Sequence, residues 1–128
     1  MLLLAIFLPA LALAGHGIDD LVNNIPAEHL KKLLDAGEKV VLIDLRPAKE
    51  FQKNRLPGAR SIPLAELEQK ARAIPKTERV VLYCDCLLYQ IVQKAKYLED
   101  QGYRNIAVML DGFLGWVKLG YPVDTGRR

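Results

Sequence analysis

No run or stripe of basic residues interrupts this chain: 18 Lys and Arg are scattered against 15 Asp and Glu over 128 positions, a formal net charge of +3. So small a surplus leaves no electrostatic footprint for nucleic acid, and no nucleic-acid partner is expected. The 7 Pro and 9 Gly follow no period, which excludes collagen-like and low-complexity sequence. No apolar run is long enough for a membrane anchor. The longest, over residues 1–14, reaches only ~20 Å as a helix against a hydrocarbon core of ~30 Å, and Pro9 would kink it. His16 stands just after the apolar opening and His29 on a polar helix face, so neither has metal-site company, and a Cys-x-Cys pair alone is a weak ligand set; neither a metal nor another cofactor is expected.

What remains is an ordinary globular composition, 51% hydrophobic and 26% charged, at the length of one domain. The uncharged opening MLLLAIFLPALALAG ends in Ala12-Leu13-Ala14, a small-x-small pattern after an apolar core. It reads as a signal peptide over residues 1–14, although it lacks a basic n-region. The expected location is therefore periplasmic or secreted; an unprocessed leader would leave the protein in the cytoplasm. No cysteine stands directly after residue 14, so lipid attachment there is not indicated.

Beyond the leader, apolar patterns of two periods alternate. Pro26 precedes Leu30, Leu33 and Leu34 at helical spacing, and Gly37 stops that helix. Val40–Ile43, Val80–Tyr83 and Ile106–Met109 are continuous apolar runs of the kind that suits strands covered on both faces. A polar stretch at Lys49–Lys53 leads into the turn Leu56-Pro57-Gly58-Ala59, and Ser61-Ile62 is a short strand candidate. Leu64, Leu67 and Ala71 share a helical face that Pro75 ends. A helix over Leu88–Gln101 places Val92, Ala95 and Leu98 together before Gly102, and Gly112–Leu119 is a last helix. Strands alternating with helices define a three-layer α/β domain with a mostly parallel sheet.

In such folds chemistry gathers at the carboxyl ends of the strands. Those ends carry Asp44 and Arg46, then Cys84-Asp85-Cys86, then Asp111. A cysteine between a buried strand and a helix start faces first-turn amides, which lower a thiol pKa and can hold an anion. Cys84 is equally readable, from position alone, as a small buried hydrophobe. Asp44 and Arg46 read as a structural ion pair that fixes the loop ends, and Trp116 and Tyr121 as core and cover.

Taken together, Ile43-Asp44-Leu45-Arg46-Pro47, Glu50-Phe51, Leu56 to Pro63, Val81-Leu82-Tyr83-Cys84, Gly102-Tyr103, Asp111-Gly112-Phe113, Trp116 and Gly120 to Val123 resemble a rhodanese domain. The likeness runs in order from about Asn24 to Asp124, so that residues 15–128 form one rhodanese-like domain after the leader. It implies a five-stranded parallel sheet flanked by helices. It also implies a thiol enzyme carrying sulfur as a persulfide on Cys84, with a small sulfur-containing donor and a thiol acceptor as partners.

The departures lie in the loop Asp85, Cys86, Leu87, Leu88, Tyr89 and Gln90, the expected substrate-binding segment. Active members usually follow the cysteine with a Gly and an Arg and then a Ser, and none of these is present. An Arg would offer a fork to the oxygens of thiosulfate; Gln90 offers a neutral amide, and Asp85 would place a negative charge beside the thiolate and raise its pKa. Arg55, where the family has His, reads as a surface change. The resemblance thus implies a sulfurtransferase weak toward thiosulfate, or alternatively a weak or inactive binding module using the same loop. Rhodanese-fold phosphatases and arsenate reductases are disfavoured because no Arg closes the loop. Two residues span at most ~7 Å, so a curved loop can bring Cys84 and Cys86 within disulfide reach; the other arrangement buries Cys86 beneath the loop, away from Cys84.

Overall fold

The computed structural model describes residues 21–126, and the proposed leader and His16 lie outside them. The three apolar runs form the centre of the sheet as β1 (Val40–Asp44), β4 (Arg79–Tyr83) and β5 (Ile106–Val108). With β3 (Arg60–Ser61) they make a parallel four-stranded sheet in the order β3-β1-β4-β5. The central register pairs Val40 with Arg79 and runs through to Asp44 with Tyr83, so both strands end at the same level.

The expected fifth strand is reduced to one parallel bridge, Asn24 to Val108, beyond β5. Two hydrogen bonds hold it, Ile25 N–H to Val108 O at 2.9 Å and Val108 N–H to Asn23 O at 2.8 Å. Pro26 has no N–H to continue the ladder, and the chain turns at once into helix α1 (Ala27–Asp35). The sheet thus has four strands among the described residues rather than five.

Helices cover both faces, which is why the strand sequences do not alternate. Val41, Ile43, Val80 and Leu82 face α4 (Leu88–Asp100) and the short helix α3 (Leu67–Lys70), which sits between two 3-10 turns, Leu64–Glu66 and Ala71–Ala73. Leu42, Val81, Tyr83 and Ala107 face α1, α2 (Ala48–Lys53) and α5 (Gly112–Lys118). On this second side Trp116 is fully buried, lies edge-on to Tyr121 at 5.0 Å, and donates Nε1–H to Pro122 O at 2.9 Å.

Beside the turn before β3 the structure adds one element to the sequence reading and corrects one residue. The polar stretch at Lys49–Lys53 belongs to helix α2, because its single large apolar residue, Phe51, is buried against the core. Arg55 is not a surface residue: it is 3% exposed. It lies in β2 (Asn54–Arg55), which pairs antiparallel with β6 (Asp124–Thr125). Its guanidinium packs 4.9 Å from the Phe51 ring and donates to Phe51 O and Gly126 O at 3.0 and 2.7 Å. The β2–β6 ribbon covers the guanidinium, and the two carbonyls take the place of water at Nη1, while the buried Nε has no hydrogen-bond partner.

Candidate active site

The polar groups at the strand ends are wired to one another. In register with Asp44, Tyr83 donates its hydroxyl to Asp44 Oδ2 at 2.7 Å and accepts the Leu56 amide at 3.2 Å. Arg46 grips the same carboxylate through Nε and a terminal nitrogen, the latter at 2.8 Å, and donates onward to Asn54 O at 2.6 Å. Its guanidinium lies 3.8 Å from the Phe113 ring centre. Burial pushes the Tyr83 phenol far above its ordinary value, and the Asp44 charge pushes it further. Burial works against the Arg46 charge, but the hydrogen bond and charge of Asp44 outweigh it and leave Arg46 above its ordinary value. Asp44, Tyr83 and Arg46 are all buried, so this ion pair joins β1, β2, β4 and α5 and does not open toward a ligand. Tyr83 is a polar group that an apolar strand pattern conceals; its one sequence signal is a Tyr at the strand end level with Asp44.

Cys84 follows directly. Strand alternation turns it away from Tyr83 to the α4 side of the sheet, where it is half-buried with Cys86. Leu88 and Tyr89 open α4, a helix of 13 residues, and first-turn amides have no acceptor within the helix. Gln90 turns back, its side-chain oxygen accepting the Leu87 amide at 3.0 Å, the glutamine half of a capping box. Leu87, Leu88 and Tyr89 are exposed.

Asp85 is exposed, and its carboxylate accepts the Leu114 amide at 3.1 Å, in the first turn of α5. Asp111, which immediately precedes α5, instead accepts the Ala27 amide at the start of α1 at 3.2 Å. Each acid therefore caps a helix distant in sequence. Gly112 makes this possible. It adopts φ +70°, and a Cβ there would stand 2.6 Å from both Asp85 Oδ1 and Cys84 O.

The loop brings the two cysteines together. Cys84 and Cys86 are paired with Cα atoms 5.3 Å apart, inside the ~4.4–6.8 Å span of disulfides. The arrangement with Cys86 away from Cys84 is not the one adopted. The pair lines two hollows. One, of about 240 Å³, is completed by Leu88, Ile91, Met109 and Leu110. The other, of about 320 Å³, is completed by Leu45, Pro47, Pro63, Leu64 and Ala65. None of these walls carries a charged side chain. Of these wall residues the sequence reading assigned only Leu88 to the site, although Leu45, Pro47 and Leu110 lie within three residues of the ends of β1 and β5, at the sheet end where Cys84 sits.

Fold and site together define a class: a three-layer α/β domain with a cysteine at the carboxyl end of a central parallel strand, ahead of a helix. The family is then direct. The model of the rhodanese-like domain matches residues 26–119, and the chain belongs to that family. A sulfurtransferase of Allochromatium vinosum is 31% identical over 103 residues, covering 80% of this chain and 95% of that protein. The thiosulfate sulfurtransferase GlpE of Actinobacillus succinogenes is 29% identical over 91 residues, covering 69% of this chain and 78% of its own. Among solved structures, the thiosulfate sulfurtransferase of Pseudomonas aeruginosa superposes with a TM-score of 0.70 at 27% identity, over 85% of this chain and 21% of that one. A rhodanese-related protein of Thermoplasma volcanium shares the fold with a TM-score of 0.68 at 22% identity, over 79% of this chain and 96% of that one. The relatives named sulfurtransferases place this chain in a sulfurtransferase family. Among the described residues no helix is long and apolar enough to cross a membrane.

Proposed function

We propose that this protein transfers sulfane sulfur through a persulfide on Cys84. The observation that carries the reading is the position of Cys84: half-buried at the end of β4, ahead of the first turn of α4, and bordering both hollows. The reduced Cys84 thiolate attacks the outer sulfur of a donor, whose S–S bond breaks and whose remainder leaves with the bonding electron pair. An acceptor thiolate then attacks the outer sulfur of the Cys84 persulfide, and Cys84 leaves as thiolate. First-turn amides of α4 favour the thiolate form.

The walls also discriminate among donors. Thiosulfate brings two negative charges, yet the loop has no Lys or Arg and the nearby Arg46 is committed to Asp44. A doubly charged oxyanion entering these hollows meets no charged side chain to offset the hydration it loses. A persulfide or polysulfide donor, with less charge at the transferred sulfur, fits better. The test is sulfur transfer to a small thiol from an organic persulfide and from thiosulfate, using pre-reduced protein. The persulfide should support turnover, thiosulfate should do so poorly, and Cys84→Ser should abolish both. If neither donor supports transfer while Cys84 is reduced, the chain is a binding module rather than a sulfurtransferase.

A further inference from the structure

We infer that Cys86 is a resolving thiol: it attacks the Cys84 persulfide, releases its outer sulfur as sulfide, and leaves the Cys84–Cys86 disulfide. This rests on the proposed persulfide at Cys84 and adds a second outcome for it. The chain contains only 2 cysteines, and the loop brings these two together with a Cα separation of 5.3 Å, so Cys84 has one intramolecular thiol partner. Both border the same two hollows, so the outer sulfur of a Cys84 persulfide and the Cys86 thiol lie beside the same uncharged walls. These walls suit the departure of a small neutral hydrogen sulfide better than that of a multiply charged product.

The step balances without any oxidant. The Cys86 thiolate attacks Cys84 Sγ, the Cys84–outer-sulfur bond breaks, and its electron pair leaves with the outer sulfur. That sulfur departs as hydrogen sulfide, taking up the proton Cys86 gave up. The sulfane sulfur is reduced and the two cysteine sulfurs are oxidised to the disulfide. An external dithiol then reduces the disulfide and returns both thiols for another cycle. The donor persulfide and one dithiol are thereby converted to a thiol, hydrogen sulfide and a second disulfide. In the paired state Cys84 is no nucleophile, so sulfur uptake is also gated by that dithiol.

The test is a single turnover with pre-reduced, reductant-free protein and one equivalent of cysteine persulfide, followed by sulfide determination and intact mass. Wild type should release one sulfide per chain and lose the mass of two hydrogens, with Cys84 and Cys86 joined. Cys86→Ser and Cys86→Ala, checked for folding by circular dichroism, should keep the added sulfur on Cys84 and release sulfide at least roughly tenfold more slowly. If wild type keeps the persulfide as the variants do, Cys86 is packing and the inference falls, while sulfur carriage by Cys84 stands. If neither wild type nor the folded variants take up sulfur, the proposed function falls and the inference with it.

Discussion

The Asp85 carboxylate accepts the Leu114 amide at 3.1 Å, so the residue after the proposed nucleophile serves as a cap for the last helix. The sequence reading gave the same carboxylate an effect on the neighbouring thiolate pKa, and the hydrogen bond adds a structural role to it. The hydrogen bond directs that charge toward the positive end of α5, where it is favourable. Asp85→Ala should therefore cost about 1 kcal/mol of stability, as loss of a helix cap does. Asp85→Asn, which keeps an accepting oxygen, should cost less. Urea unfolding of the three proteins measures the difference, and equal stability for all of them would mean that the cap is idle.

Gly112 is the second support for the loop. Its φ of +70° and the 2.6 Å approach to Cys84 O and Asp85 Oδ1 leave no room for a side chain. Gly112→Ala must bear left-handed strain and push the loop backbone aside, a loss of more than about 2 kcal/mol. The displaced carbonyl belongs to Cys84, so sulfur uptake should fall in the same variant. Stability by denaturation and uptake by mass measure the two effects separately. An alanine at this position with unchanged stability would show that the backbone can yield there.

Tyr83 ties the ends of β1 and β4 to the turn before β3. Tyr83→Phe leaves Asp44 Oδ2 and the Leu56 amide each short of a partner in a buried setting, which costs about 1–3 kcal/mol. The phenol also sets a pH response. Its folded value lies far above the ordinary one, so above pH of about 10 the unfolded chain releases a proton that the folded chain keeps. Stability is thus fully present below about pH 10 and declines as pH climbs above it. Tyr103, also pushed up chiefly by burial, acts in the same direction. Urea midpoints between pH 8 and 11 should fall for wild type and fall less steeply for Tyr83→Phe. Parallel profiles would remove Tyr83 from the alkaline response.

The missing loop cation can be restored by mutation. Tyr89 is 60% exposed and makes no capping bond, whereas Gln90 holds the Leu87 amide. Tyr89→Arg should therefore raise thiosulfate kcat/KM by roughly tenfold, the value of one charged hydrogen bond. Gln90→Arg should gain less, because it gives up the cap. Steady-state kinetics with thiosulfate and with an organic persulfide checks this. Gain with thiosulfate alone is expected, and no gain from either variant would show that charge is not what limits thiosulfate.

How far the sequence reaches can be judged at particular residues. Val40–Ile43, Val80–Tyr83 and Ile106–Met109 are legible as strands because strands covered on both faces are apolar along their length, although the third ends one residue earlier, at Val108. Gly102, at φ +93°, is legible as the end of α4 for a local backbone reason. Arg55 is not legible, since its burial depends on a ribbon with residues about seventy positions away. The capping of remote helices by Asp85 and Asp111 is equally hidden, because their partners stand 29 and 84 residues away. At the site, Cys84 is legible from strand-end placement and family likeness. The pairing with Cys86 is legible only as a possibility of reach, because the curvature of the loop decides it.

Sulfur carriage by Cys84 is tested most directly by intact-protein mass spectrometry with peptide mapping. Cys86→Ser is the protein to use, since its Cys84 is held in no disulfide and any persulfide should persist. After one equivalent of an organic persulfide, the protein should gain the mass of one sulfur atom, located on the peptide containing Cys84. The double variant Cys84→Ser, Cys86→Ser should gain nothing. An unmodified, folded protein with a reduced Cys84 would contradict the proposed role of that residue.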